Sequence, residues 1–442
     1  MKGLMIAAPN SNSGKTLVTM GIIRALKNRG FDVSAFKVGP DFIDREYISR
    51  ASNKRAGNLD LHLMGGIEGL KEALFMNKGQ LALLEGVMGY FDGIYNTYEN
   101  SSYDIANKLG LDTILVYSPS GEMFTAIPKI KGMVDFSKGR IKGLILNKTH
   151  ESTYILLKEK IEEHIGIKVL GYLPKNENWN IKNRYLGLIQ ALENEELEGI
   201  IEDISCEIEK NIDLDLIIKM AKKIHIETRL DFFKSDIKVA IALDRAFNFY
   251  YTENIKILEK SCQVVYFSPL YDKKLPKADL VIIGGGYPEL FKEELSNNTE
   301  MKESIRDYIE GSGYLYGEGG GLMYLFKEIE NYEMLGVFSG KIHMTKKLQN
   351  FGYVNIELEK DTIIGQKGHC LSGQEIHYSK VLTEKERVFK ITKPLSKKTW
   401  ECGYTYKNTL VSYQHINFLG NMDAFNYLLD GLKKSKEGLD VY

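Results

Sequence analysis

Residues 8–16, "APNSNSGKT", end in Ser13, Gly14, Lys15 and Thr16, side chains whose order suits a phosphate group. In such a loop successive backbone N–H groups form a nest for phosphate oxygens. A lysine neutralises the β- and γ-phosphates, and a hydroxyl ligates Mg²⁺. An apolar run over residues 4–8 precedes the loop and a helical pattern follows it, the context a phosphate-binding loop requires. Pro9 stands where the strict pattern has its first glycine, so a plain surface turn is the alternative. "KVGPDFID" places Asp41 in a loop after the next apolar run, and "LLEGVMGYFDG" places Glu85 directly after another, with Asp92 between glycines beyond it. Thr16, Asp41 and Glu85 would then converge on one sheet edge. One hydroxyl and two carboxylates suit Mg²⁺ that keeps waters and ATP oxygens in its shell. Taken singly, each acid is an ordinary solvated loop residue; the conjunction with Lys15 argues for a site.

Residues 313–326, "GYLYGEGGGLMYLF", have the form of a strand, a sharp glycine turn and a new helix. Chains of this form carry a serine or cysteine at the turn, its reactive atom held above the strand end. Here the turn offers Glu318, Gly319, Gly320 and Gly321, and no nucleophile.

These side chains need elements to hold them. Over the first 220 or so residues, apolar runs at 4–8, 33–38, 81–84, 113–116, 144–146 and 169–173 alternate with amphipathic segments such as 17–29, stopped by Gly30. The alternation predicts a parallel sheet covered by helices, with ligands at the carboxyl ends of its strands. Residues 225–237 lose the period and become charged, and read as a linker. Fresh runs at 239–243, 264–267, 280–283 and 314–316 predict a second α/β unit, with more antiparallel character after residue 336.

The chain has 442 residues, 43% apolar and 26% charged, with a net charge of −1. That length predicts more than one domain. The charge balance gives no global field for nucleic acid or membrane, so neither is an expected partner. Cys206, Cys262, Cys370 and Cys402 are widely spaced, which argues against a zinc site or disulfide framework and fits a reducing cytoplasm. The first apolar run is too short for a secretory signal, and no stretch is long enough to span a bilayer.

In order along nearly the whole chain come "SGKTLVTMGIIRAL", "FKVGPDFID", "NLDLHLM", "EGVMGYFDG", "GLILN", "VLGYLP", "RYLGL", "ALDRAFNFYYTENIKILE", "FSPLYD", "GGGYPEL", "GGLMYL", "EIHYS" and "SYQHINF". With these motifs the chain resembles the cobyrinic acid a,c-diamide synthase family, glutamine amidotransferases of cobalamin biosynthesis. The resemblance implies an α/β protein in two parts. The first is an ATP-binding amidoligase domain similar to dethiobiotin synthetase (1–224). The second, beyond the linker (225–237), is a class I glutaminase-like domain (238–442). It implies ATP as co-substrate, Mg²⁺ as cofactor, and a corrinoid or other tetrapyrrole carboxylate as substrate, activated as an acyl phosphate and amidated by ammonia. Asp92 falls on an acid that helps catalysis near the acyl phosphate. Phe42 and Ile43 fall at substrate-proximal positions, and Lys37 and Arg45 are possible partners for ring carboxylates.

In the family the turn reads Glu-Cys-Gly-Gly and its cysteine attacks glutamine; Gly319 takes that cysteine's place. His415 matches the general base that serves the thiol, and is left with no nucleophile to serve or as a hydrogen-bonded structural histidine. Losing a covalent nucleophile typically costs on the order of 10⁶ in kcat, so the expected nitrogen source is free ammonia or a separate glutaminase. Smaller departures are Asn12 for a glycine, Tyr185 and Asn417 for histidines, and "VYSPSGEM" for an Asp-Ala-Ser pattern. Two other readings stay open: a nickel-sirohydrochlorin a,c-diamide synthase, and a non-catalytic paralogue that binds nucleotide or corrinoid. The assembly, a homodimer or otherwise, is not set by these residues.

Overall fold

The computed structural model describes residues 1–179, 183–184, 187–188, 191, 194, 196–227 and 230–438. Tyr185 lies outside the described residues, as do 228–229 of the expected linker. The chain divides into two units. Met1–Leu61 and Ile67–Arg229 form the first, and His62–Gly66 joins Leu230–Tyr442 in the second, an excursion that the expected boundaries lack.

The first unit is built on β1 (Lys2–Ala7), β2 (Val33–Val38), β3 (Gly57–Leu59), β4 (Leu81–Glu85), β5 (Thr113–Tyr117), β6 (Ile141–Asn147) and β7 (Lys168–Leu173). Their order is β3-β2-β4-β1-β5-β6-β7, every neighbouring pair parallel. Lys222–Lys223 adds a short antiparallel pairing to β1. All residues of β2, β4 and β5 are buried, which is why these strands read as continuous apolar runs and not as alternations. The chain fills one side of β1 with β2–β4 and the other with β5–β7, so a crevice opens at the carboxyl end of β1. The phosphate-type loop lies there and leads into α1 (Lys15–Asn28). At the far end of α1 Gly30, at φ 86°, follows the last turn. Its N–H reaches Lys27 O at 2.8 Å and that of Phe31 reaches Leu26 O at 3.1 Å, closing off carbonyls the helix leaves open. α2 (Ile43–Ser52) follows β2, and α3 (Leu197–Asn211) comes after β7.

The second unit contains β8 (Lys238–Ala242), β9 (Gln263–Phe267), β10 (Leu280–Ile283), β11 (Tyr314–Glu318), β12 (Phe338–Leu358), β13 (Cys370–Leu382), β14 (Tyr404–Tyr406), β15 (Thr409–Ser412) and β16 (Gln414–Ile416). One sheet has the order β9-β8-β10-β11-β15-β14, parallel except for its last pair. A second sheet is organised around the antiparallel pair β12 and β13, with β16 on the free side of β13. Among the described residues no helix is long and apolar enough to cross a membrane.

Candidate active site

Strand register assembles the first cluster. Lys37, near the end of β2, lies directly opposite Glu85, the last residue of β4, and Glu85 is level with Ile6 of β1. Thr16, in the first turn of α1, donates its hydroxyl to Glu85 Oε1 at 2.7 Å and to Asp44 Oδ2 at 3.3 Å. The Lys37 ammonium sits between the same two acids, 2.7 Å from Asp44 Oδ2 and 2.8 Å from Glu85 Oε1. Asp41 spends its Oδ1 on the N–H groups of Ile43 and Asp44, at 2.9 and 3.0 Å, capping the start of α2.

The Lys15 ammonium donates to Met88 O at 2.7 Å and Asn10 O at 3.2 Å. The loop before it is braced by Ser13, whose hydroxyl donates to the Asn10 side-chain oxygen at 2.6 Å, and by Asn147, whose amide donates to Ser13 O at 2.8 Å. Asn12 and Gly14 take φ of 65° and 82°, the left-handed region that asparagine tolerates better than most side chains. Asp92 is exposed, and its Oδ2 accepts from Gly89 N–H at 2.9 Å. Phe42 and Ile43 are both buried.

Burial and charge pull these groups apart. Burial, then the neighbouring Lys37 charge, lowers the Lys15 ammonium to about 8. Burial alone would lower Lys37 too, but Asp44 and Glu85 outweigh it and hold its proton firmly. Burial pushes Asp41 up to about 7, with the Asp44 charge adding to it. Burial also raises Glu85, whereas Asp44, equally buried, is held below its ordinary value by Lys37 and by the Thr16 hydroxyl. Lys37 is therefore a fixed cation and Lys15 a labile one, a division suited to a site that waits for an anion.

In the second unit β11 ends at Glu318 and the chain turns at Gly319, φ 52° and ψ −105°, into α4 (Gly320–Leu325). A Cβ at Gly321 would lie 2.0 Å from Ile283 O, so only glycine lets this helix begin against the end of β10. A Cβ built at Gly319 would lie 2.8 Å from Cε1 and 2.9 Å from Nε2 of His415. The other ring nitrogen of His415, Nδ1, is 3.2 Å from Glu318 Oε2. Glu318 Oε1 in turn accepts from Tyr316 Oη at 2.7 Å and Ile416 N–H at 3.0 Å. Asn417 points its oxygen at Leu419 N–H, 3.0 Å away. All four cysteines are free, and burial pushes the Cys402 thiol up to about 12.

Residues 4–186 match the CobQ/CobB/MinD/ParA nucleotide binding domain and residues 238–422 the CobB/CobQ-like glutamine amidotransferase domain. The cobyrinate a,c-diamide synthase of Clostridium tetani is 44% identical over 97% of this chain and 100% of its own length. That of Clostridium acetobutylicum is 41% identical over 97% and 100%, and that of Caldanaerobacter subterraneus 37% identical over 96% and 97%. The chain belongs to the cobyrinate a,c-diamide synthase family.

For a member of this family the nucleotide-side cluster departs from expectation in two particulars. Asp44, which motif reading passed over, accepts from the Thr16 hydroxyl, whereas Asp41 caps the helix. Lys37, expected to meet ring carboxylates, is buried and paired inside the unit; Arg45 is buried as well and pairs with Glu46. Among the described residues no three histidine, cysteine or carboxylate side chains form a ready-made metal cage. Glu85 Oε2, though, is buried without a hydrogen-bond partner, and a buried carboxylate oxygen left so favours a cation. The residues fit Mg²⁺ completing its shell with phosphate oxygens and water. In the second unit His415, the expected base, lies beside Gly319, and its contact with Glu318 is one that sequence reading missed. The position two residues beyond His415 gives no sign of it, because Glu318 comes from a different strand.

Proposed function

We propose that this chain amidates the a and c side-chain carboxylates of cobyrinic acid, using ATP, and that it takes its nitrogen from free ammonia and not from glutamine. The first half of the proposal rests on the family and on the cradle of Lys15, Thr16, Lys37, Asp44 and Glu85. In the first step a substrate carboxylate oxygen attacks the γ-phosphorus and ADP leaves, giving an acyl phosphate. In the second, ammonia attacks the acyl carbon and phosphate leaves, giving the amide. Phosphoryl transfer of this kind is mostly positioning and charge neutralisation. The nest of residues 10–14 binds the phosphates, and Lys15 exchanges two carbonyl oxygens for phosphate oxygens. Thr16, Glu85 and Asp44 are the residues that would hold Mg²⁺, which when bound would neutralise charge on the β- and γ-phosphates. Asp92, exposed on the next loop, is the acid assigned to the acyl phosphate.

The second half rests on one observation. Position 319 has no side chain, and His415 Nε2 lies 2.9 Å from where its Cβ would be. A general base without a nucleophile does not open a glutamine amide. The test is steady-state ADP release with ATP, Mg²⁺ and cobyrinic acid, supplied with either ammonium or glutamine. Turnover with ammonium alone is expected. Equal rates with both overturn the assignment of the nitrogen source, and no turnover with either overturns the enzymatic reading.

A further inference from the structure

The loop between β4 and the helix Ser102–Leu109 carries two bulky side chains in the wrong backbone region. Met88 has φ 46° and Tyr95 φ 57°, left-handed conformations that side chains of this size rarely adopt. Both are exposed, Met88 by 42% and Tyr95 by 79%. For Met88 the backbone has a reason, since its carbonyl oxygen receives the Lys15 ammonium at 2.7 Å. For Tyr95 the loop itself supplies one. Gly93 N–H donates to Thr97 O at 2.9 Å, Ile94 N–H to Glu99 O at 2.8 Å, and the Thr97 hydroxyl to Ile94 O at 2.8 Å. These bonds close a tight tip with Tyr95 at its end. Glycine or asparagine would hold that tip with less strain. The tyrosine ring, out in solvent, contributes little to the fold, so its presence calls for another explanation.

We infer that this loop is the platform for the tetrapyrrole ring, with Tyr95 and Met88 meeting the apolar face of the macrocycle. The inference rests on the proposed function and names the part of the site that selects its substrate. A carboxylate that attacks the γ-phosphorus must reach the phosphate cradle, so the ring bearing it lies against whatever borders that cradle. This loop borders it: it starts at Glu85, gives Lys15 a carbonyl at Met88, carries Asp92 and ends in the aromatic tip. A broad conjugated macrocycle with a charged rim needs flat, polarisable, apolar surface beside its reacting edge, which an aromatic ring and a thioether supply. Tyr95 and Met88 are specificity-determining contacts in this reading and take no part in the chemistry.

The full-length chain and its Tyr95→Gly and Tyr95→Phe variants test this, with cobyrinic acid and sirohydrochlorin as probes titrated by their visible absorbance. ATP dependence is followed in parallel by ADP release. Tyr95→Gly is expected to weaken binding of the preferred ring by about tenfold, with the KM for ATP unchanged and a thermal midpoint equal to or above that of the parent. Tyr95→Phe is expected to bind within about twofold of the parent, since the ring and not the hydroxyl makes the contact. If Tyr95→Gly binds the same ring as well as the parent does, the inference fails while the proposed function stands. A parent chain that binds neither ring overturns the function and the inference together. Unchanged affinity with an altered oligomeric state assigns the loop to an interface between copies and overturns the platform.

Discussion

A side chain at position 319 has two obstacles: a φ of +52°, and a histidine ring already within 3 Å of its Cβ. The ring is buried and hydrogen-bonded to Glu318, so it can withdraw by tenths of an ångström only by stretching that bond. Gly319→Cys is therefore expected to lose about 1–3 kcal/mol of stability in urea unfolding. It is also expected to gain glutamate release from glutamine, because His415, hydrogen-bonded to Glu318, lies beside the new thiol. A folded variant with no glutamate release would show that the site has decayed beyond its nucleophile. On the nucleotide side, Asp44→Asn removes the charge that Lys37 and the Thr16 hydroxyl share with Glu85. Ammonia-dependent ADP release is expected to fall at least about tenfold, as for loss of one preorganised electrostatic partner; an unchanged rate would return Asp44 to a packing role. Motifs pointed to Lys15, Thr16, Asp41 and Glu85 because residue type and order carry that signal. They could not rank Asp41 against Asp44, since both stand at a helix start. Only the side-chain directions show that one caps the helix and the other faces the hydroxyl.

At the scale of elements, the strands of the first unit were legible wherever burial on both faces produced a continuous apolar run. The expected 33–38 and 280–283 coincide with β2 and β10. β3, only Gly57–Leu59, has no run to read. β12 escaped for the opposite reason. It is 21 residues long and many of its side chains are exposed or half-buried, so its pattern settles into strict alternation only at its end, over 354–358. What fixes that region instead is a buried polar knot. Glu375 of β13 accepts from Gln414 at 2.6 Å and Trp400 at 3.1 Å, and its other oxygen lies 2.7 Å from His377 Nε2. His377 Nδ1 donates to Ser379 O at 2.8 Å, and its ring stacks on Tyr413 at a centroid distance of 3.6 Å. The knot ties β13 to β16, where Gln374 lies opposite His415. Glu375→Leu leaves an indole, an amide and an imidazole facing a side chain that cannot accept. Its expected cost is about 3–5 kcal/mol in the unfolding transition of the second unit. A loss below about 1 kcal/mol would mean that these donors find other acceptors or water.

For the whole molecule, the nitrogen source can be tested through its thiols. A glutaminase of the cysteine type is inactivated when its nucleophile is alkylated, because the thiolate is the reacting species. Here the free thiols are Cys206 and Cys370, both exposed, and Cys262 and Cys402, both buried. Burial raises the Cys262 thiol and pushes that of Cys402 up to about 12, so neither supplies appreciable thiolate near pH 8. Iodoacetamide at that pH is expected to label Cys206 and Cys370 in the native chain, and Cys262 and Cys402 only after denaturation, as read by peptide mass. Through this labelling, ADP release with ammonium and tetrapyrrole should hold at its starting rate, since no thiol belongs to the phosphate cradle or to the turn at Gly319. If glutamine supported turnover, and alkylation at Cys370 or Cys402 abolished that turnover while the ammonium-dependent rate survived, one of these thiols would be doing the work that position 319 cannot do, and the ammonia assignment would fall with it.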